Sequence, residues 1–165
     1  MQRRRLITLA GFGLVGLGLT ACGGGGGESP RAESGGFDVL SVARGSGAGR
    51  FVRAVQGTEL AETLAGPGPF TIFAPTDRAF AAAGANRLSG EALTTFLAYH
   101  VVPGDLTADY MEGFDLNHTT LTGRPLNVDG RSGLIRVGGV ATVTRPDLAA
   151  ANGVVHVIDQ ALSPR

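Results

Sequence analysis

The sequence predicts an α+β domain in which short helices come first and strands follow. Three observations carry that reading. Before residue 98, capping residues and glycine breaks alternate with apolar positions at helical spacing; beyond it, short β-forming runs are separated by turn residues. Phe70, Thr71, Ile72 and Phe73 are β-formers in a row, and Pro75 ends the run because it lacks an N–H and holds Ala74 extended. Val154-Val155-His156-Val157-Ile158 is a second dense apolar run, expected as a central strand. Helices and strands segregated along a chain argue against a repeating βαβ arrangement.

The elements follow in order. Asp38 is placed to cap a helix over 39–43, which the glycines from Gly45 to Gly49 break. A second short helix over 51–55 ends at Gly57, and Thr58 caps a third over 59–64 that Gly66-Pro67-Gly68-Pro69 stops. After the strand at 70–74, Thr76 or Asp77 caps a helix over 77–83 that returns Phe80 to the core. Ser89 caps the clearest helix, where Leu93, Phe96, Leu97 and, across its end, His100 recur at helical spacing. Strands are expected at 99–102, stopped by Pro103-Gly104; at 119–122 and 125–128, joined by Gly123-Arg124; and at 134–137 and 140–144, flanking Gly138-Gly139. Thr107 starts a short helical turn through Tyr110 and Met111, and Asn152-Gly153 is a turn pair feeding the last strand.

The first 36 residues read differently. Arg3, Arg4 and Arg5 precede an apolar run from Leu6 to Leu19 that is diluted by glycine and meets Leu19-Thr20-Ala21-Cys22. This is the pattern of a bacterial export signal, residues 1–21, ending in a lipobox with Cys22 as the lipidated residue. The run is too short and glycine-rich to span a bilayer comfortably, which takes roughly 20 apolar residues. The arginines also loosely fit a twin-arginine signal, and general secretion serves equally well. Residues 22–36 are a glycine-rich tether with a reach on the order of 20 Å, and the folded domain is expected over 37–165.

Charge and cysteine content narrow the function. The chain has 14 arginines and no lysine against 14 acids; cleavage before Cys22 leaves 11 against 14, a net of −3. A mildly acidic mature protein has no electrostatic footprint for nucleic acid or anionic lipid, so membrane attachment rests on the acyl chains. Cys22 is the single cysteine, so no disulfide forms within the chain and the domain folds on its core alone.

Residues that carry chemistry are few. His100, His118 and His156 are 18 and 38 residues apart and lack the short spacings of a zinc site, so no metal is expected. His100 and His156 each interrupt an apolar β-run, which points to buried hydrogen-bonding groups. No Gly-x-Ser-x-Gly elbow is present, and Gly45-Ser46-Gly47-Ala48-Gly49 follows a helix and lacks the lysine of a phosphate loop. Neither catalysis nor a cofactor is expected. Asp77 is read as capping its helix and hydrogen-bonding His100.

Three segments, Gly68 to Phe80, Ala98 to Gly104 and Ala151 to Pro164, resemble in order and spacing the signature segments of the fasciclin-like domain family. The resemblance covers nearly all of residues 37–164. It implies a wedge-like β-sandwich or barrel of about seven strands with short helices packed on one side. It also implies an extracytoplasmic, non-enzymatic adhesion or interaction module, whose partner is a surface protein, a matrix polysaccharide or a host surface, with no nucleic acid involved. The alternative it implies is binding of an apolar small molecule, a pigment or lipid, between sandwich and helices. Thr76, Asp77, Tyr99, His100 and His156 form the candidate structural or interaction motif. Val101 and Val102 follow the Tyr-His pair, so Tyr99 and His100 are expected to support a contact surface rather than form it.

Overall fold

In a computed structural model the structure describes residues 36–164. The export segment, Cys22 and the tether up to Gly35, like Arg165, lie outside the described residues. The two apolar runs become strands β1 (Phe70–Pro75) and β7 (Gly153–Ile158), paired in parallel from Phe70 opposite Gly153 to Pro75 opposite Ile158. All but the first residue of each strand is buried, which is why both read as continuous apolar runs rather than alternating ones. Strand β2 (Val101–Pro103) adds antiparallel to β1, and β6 (Ala141–Ala150) adds antiparallel to β7. Strands β5 (Arg136–Val137), β4 (Pro125–Asp129) and β3 (Asp115–Thr119) complete the order β2-β1-β7-β6-β5-β4-β3. Seven strands are present as expected, but the ladder is open, with β2 and β3 at its edges.

Strand β6 is the joint of this sheet. Ala141 and Thr142 pair with β5, whereas Val143 to Ala150 pair with β7. The bend brings Phe73, Val102 and Ile158 from one half into a shared core with Leu126, Val128 and Val137 from the other. The opposite face of the β1–β7 half is covered by helices α1 (Val39–Gly45), α2 (Gly49–Gln56), α3 (Leu60–Leu64), α4 (Asp77–Ala82) and α5 (Gly90–Ala98). There Ile72, Ala74 and Val155 pack with Val39, Phe51 and Leu97. Side chains of successive strand residues point to opposite faces, so Ile72 and Ala74 serve the helical core while Phe73 serves the sheet core. The short helix α6 (Ala108–Met111) belongs to the sheet core through Ala108 and Met111.

Several expected boundaries move. Tyr99 and His100 close α5 rather than open a strand: Tyr99 N–H donates to Thr95 O at 3.1 Å and His100 N–H to Leu97 O at 3.0 Å. The strand expected at 119–122 lies earlier, at Asp115–Thr119, and Thr120 to Arg124 form the turn, closed by Thr120 N–H to Arg124 O. The expected 134–137 strand shortens to Arg136–Val137. Strand β6 runs to Ala150, past Pro146, because a bulge absorbs the proline: pairing passes from Arg145 opposite Val157 to Leu148 opposite Val155, with Asp147 at φ 53°.

Candidate functional site

The motif residues divide among three corners. At the first, the Thr76 hydroxyl accepts from Ala79 N–H at 3.2 Å and caps α4. Asp77 is exposed, and its carboxylate accepts from Arg50 N–H at 2.7 Å. Helix α2 has Ala48 at its N-cap position, which offers no capping side chain, so Asp77 caps it from a neighbouring element. The expected Asp77–His100 hydrogen bond is therefore not formed. Asp77 sits at the solvent side of the corner, while His100 is fully buried and finds both its partners on the backbone.

At the second corner, His100 packs between Phe96 and Phe51, with ring centroids 4.8 and 5.5 Å away. Its Nδ1 lies 2.8 Å from Phe96 O and its Nε2 accepts from Leu162 N–H at 2.9 Å. A carbonyl on one side and an N–H on the other admit one arrangement: a neutral ring with its proton on Nδ1. Burial drives the pKa of His100 down from 6.5 to about 4, only partly opposed by the bond to Phe96. The ring thereby pins the segment after β7 against the end of α5, and Leu162 is fully buried. Tyr99 is nearly buried, and its hydroxyl donates to Pro125 O at 3.2 Å, linking α5 to β4.

The third corner belongs to His156, stacked on Phe73 at 5.5 Å between centroids. Its Nε2 lies 2.7 Å from Leu106 O, and its Nδ1 accepts from Asp147 N–H at 3.2 Å. The proton here sits on Nε2, the opposite tautomer. Burial lowers this pKa too, opposed by the bond to Leu106 and by the Asp147 and Asp105 carboxylates. Asp147 in turn accepts from Ala108 N–H at 2.8 Å and caps α6 from across the bulge. His118 stands apart on β3, half-buried, with its ring 6.3 Å from Tyr110. Among the described residues no three His, Cys, Asp or Glu side chains come together as a metal site.

Sequence reasoning missed two further features. Asn152, read as a turn former, accepts from Val39 N–H and donates to Leu64 O and Gly66 O, fastening α1 and α3 to the β6–β7 turn. The second is a cleft of about 430 Å³ beside Tyr99, bounded by the β3–β4 face and by Gln160 to Ser163. Asn117 and Asn127 face it from adjacent strands. Neither feature has a local signal, because each is assembled from residues far apart in the chain.

Residues 46–164 match the fasciclin domain. The chain belongs to the fasciclin domain family. As a fasciclin domain it is 37% identical over 144 residues to Protein sll1483 of Synechocystis, covering 82% of this chain and 78% of that one. It is 37% identical to the transforming growth factor-beta-induced protein ig-h3 of Sus scrofa over 76% of this chain, but spans 19% of that protein's length. The solved FAS1 domain pair of the insect cell adhesion molecule fasciclin I has the same fold, with a TM-score of 0.56 and 25% identity over 72% of this chain and 46% of that one.

Proposed function

We propose that this fasciclin domain is a non-enzymatic adhesion or interaction module, exported and held at the bacterial cell envelope by acyl chains on Cys22. One observation carries the module reading: all four ring nitrogens of His100 and His156 are engaged by backbone groups. A histidine so committed has no lone pair or proton to offer a reaction. Tyr99 is likewise held by Pro125 O. The motif therefore builds the fold, and contact falls to the accessible surface beside it. The likeness to fasciclin I, a cell adhesion molecule, supports the same reading. The anchor rests on the Arg3-Arg4-Arg5 patch, the apolar run and the Leu-Thr-Ala-Cys ending. Residues 22–36 would then tether the module over 37–165, and its partner is a surface protein, a matrix polysaccharide or a host surface. The apolar-ligand alternative has less support, since Ile72, Ala74, Val155, Phe51 and Leu97 fill the layer between sheet and helices with none of them exposed.

Two measurements test this. Beads carrying the full chain should be retained on envelope and matrix preparations, and beads carrying the misfolded Phe73→Ala chain should not; equal retention of both removes the module reading. Mass spectrometry of the native protein should find a mature chain that starts at a lipidated Cys22. An unmodified chain, or one starting after Cys22, removes the anchor.

A further inference from the structure

The cleft beside Tyr99 has an unusual chemistry: none of the side chains lining it is charged. Its polar groups are the amides of Asn117, Asn127 and Gln160 and the hydroxyl of Ser163. Nearby, the Asp115 and Asp129 carboxylates share the one Arg131 guanidinium at 2.8 Å each, which balances one of their two negative charges. Asn127 donates to Asp115 at 2.6 Å and to Asn117 at 3.3 Å. That contact occupies the acceptor of Asn117 and leaves its NH₂ group for another acceptor. Gln160 is exposed and offers both a donor and an acceptor.

The rest of the wall is apolar. Tyr99 forms the floor, held by its hydroxyl bond to Pro125, and the exposed Val140 rises from the other side. Between them the β5–β6 turn is made by Gly138 and Gly139, at φ 60° and 70°, with Val140 N–H donating to Val137 O. Two left-handed residues in a row make a turn that glycine adopts without strain. It also leaves the rim without side chains there, and an added Cβ on Gly139 would meet nothing within 4 Å.

We infer that this cleft binds a neutral glycan segment. Sugar hydroxyls donate and accept together, as amide side chains do, and a pyranose C–H face packs on apolar walls such as Tyr99 and Val140. An anionic ligand would find no cation in the lining, and a purely apolar one would strip water from three amides without replacing its hydrogen bonds. The volume falls within the usual range for small-ligand sites, about 300–1,000 Å³. The inference rests on the interaction-module reading and narrows its partner to a polysaccharide.

Saturation-transfer NMR on the full chain in a non-glycosidic detergent tests it, with cellohexaose and mannohexaose as neutral probes and an alginate hexamer as the acidic one. A neutral hexamer should give a saturable signal and the alginate hexamer none. The Asn117→Ala/Gln160→Ala double variant should bind about tenfold more weakly or worse at an unchanged melting temperature, since both side chains are exposed. Val140→Asp, which sets a charge on the wall, should abolish the signal. Silence from both neutral hexamers, preference for alginate, or undiminished binding by the double variant would overturn the inference. If the hexamers are silent while beads still hold to matrix preparations, the glycan cleft is lost and the module reading stands; if bead retention fails as well, both fall.

Discussion

The His100 and His156 corners put one residue type to one use in two different settings. Each ring is neutral, buried and wedged between a backbone carbonyl and a backbone N–H, yet the proton sits on Nδ1 in one and Nε2 in the other. His100 lies among Phe51 and Phe96 in the helical core, and nothing but the Phe96 carbonyl opposes its desolvation. His156 lies on the sheet core with Asp147 and Asp105 near enough to favour its charged form. The N–H that His100 serves, on Leu162, is buried; the one that His156 serves, on Asp147, belongs to an exposed bulge that water reaches. One corner is thus sealed and the other leaky, and the same substitution should cost them different amounts.

His100→Ala should have the largest effect, about 3–5 kcal/mol by urea denaturation, since it opens a cavity and strands a buried N–H and a buried carbonyl. His156→Ala should cost less, about 2–3 kcal/mol, because water replaces the ring at Asp147. A larger loss for His156→Ala would reverse the comparison. Acid should act in the same order of size. Both rings have lower pKa values folded than unfolded, so the unfolded chain takes up protons first as pH falls. Stability should be level above about pH 6.5 and decline below it toward pH 4, with His100 accounting for about 3 kcal/mol. His100→Asn keeps a donor and an acceptor but does not titrate, so urea midpoints across that range should show a flatter slope; an unchanged slope would remove His100 as its source. The smallest effect belongs to the outer corner. Asp77→Ala should cost about 1 kcal/mol through loss of the α2 cap, and Asp77→Asn less. Equal losses for Asp77→Ala and His100→Ala would mean that the two residues act as a pair after all.

What was legible in the sequence was what neighbouring residues decide together. Phe70 to Pro75 announces a buried strand, Thr76 announces a cap, and Asp38 does the same for α1. The strand expected at 140–144 runs on to Ala150, and only the pairing with β7 shows that a bulge carries it past Pro146. Strand count could be read, but whether the ladder closes depends on how β2 and β3 meet in space. Asp77 and His100 do not pair because each meets the backbone and not a side chain. The groups that satisfy them are backbone N–H groups 27 and 62 residues away, which look alike at every position of a sequence. The cleft was hidden for a related reason: Asn117, Asn127 and Gln160 are unremarkable singly and become a site only when β3, β4 and the segment after β7 converge.

The parallel pairing of β1 with β7 has a mechanical side. A tension can be applied to the folded domain at Phe70, where β1 begins, and at Ile158, where β7 ends. In a parallel pair those two points lie at opposite ends of the ladder, so the strands are drawn past each other lengthwise. The six register pairs from Phe70–Gly153 to Pro75–Ile158 then share the load and must give way together rather than unzip one at a time. A hairpin pulled at its open end would have no such protection.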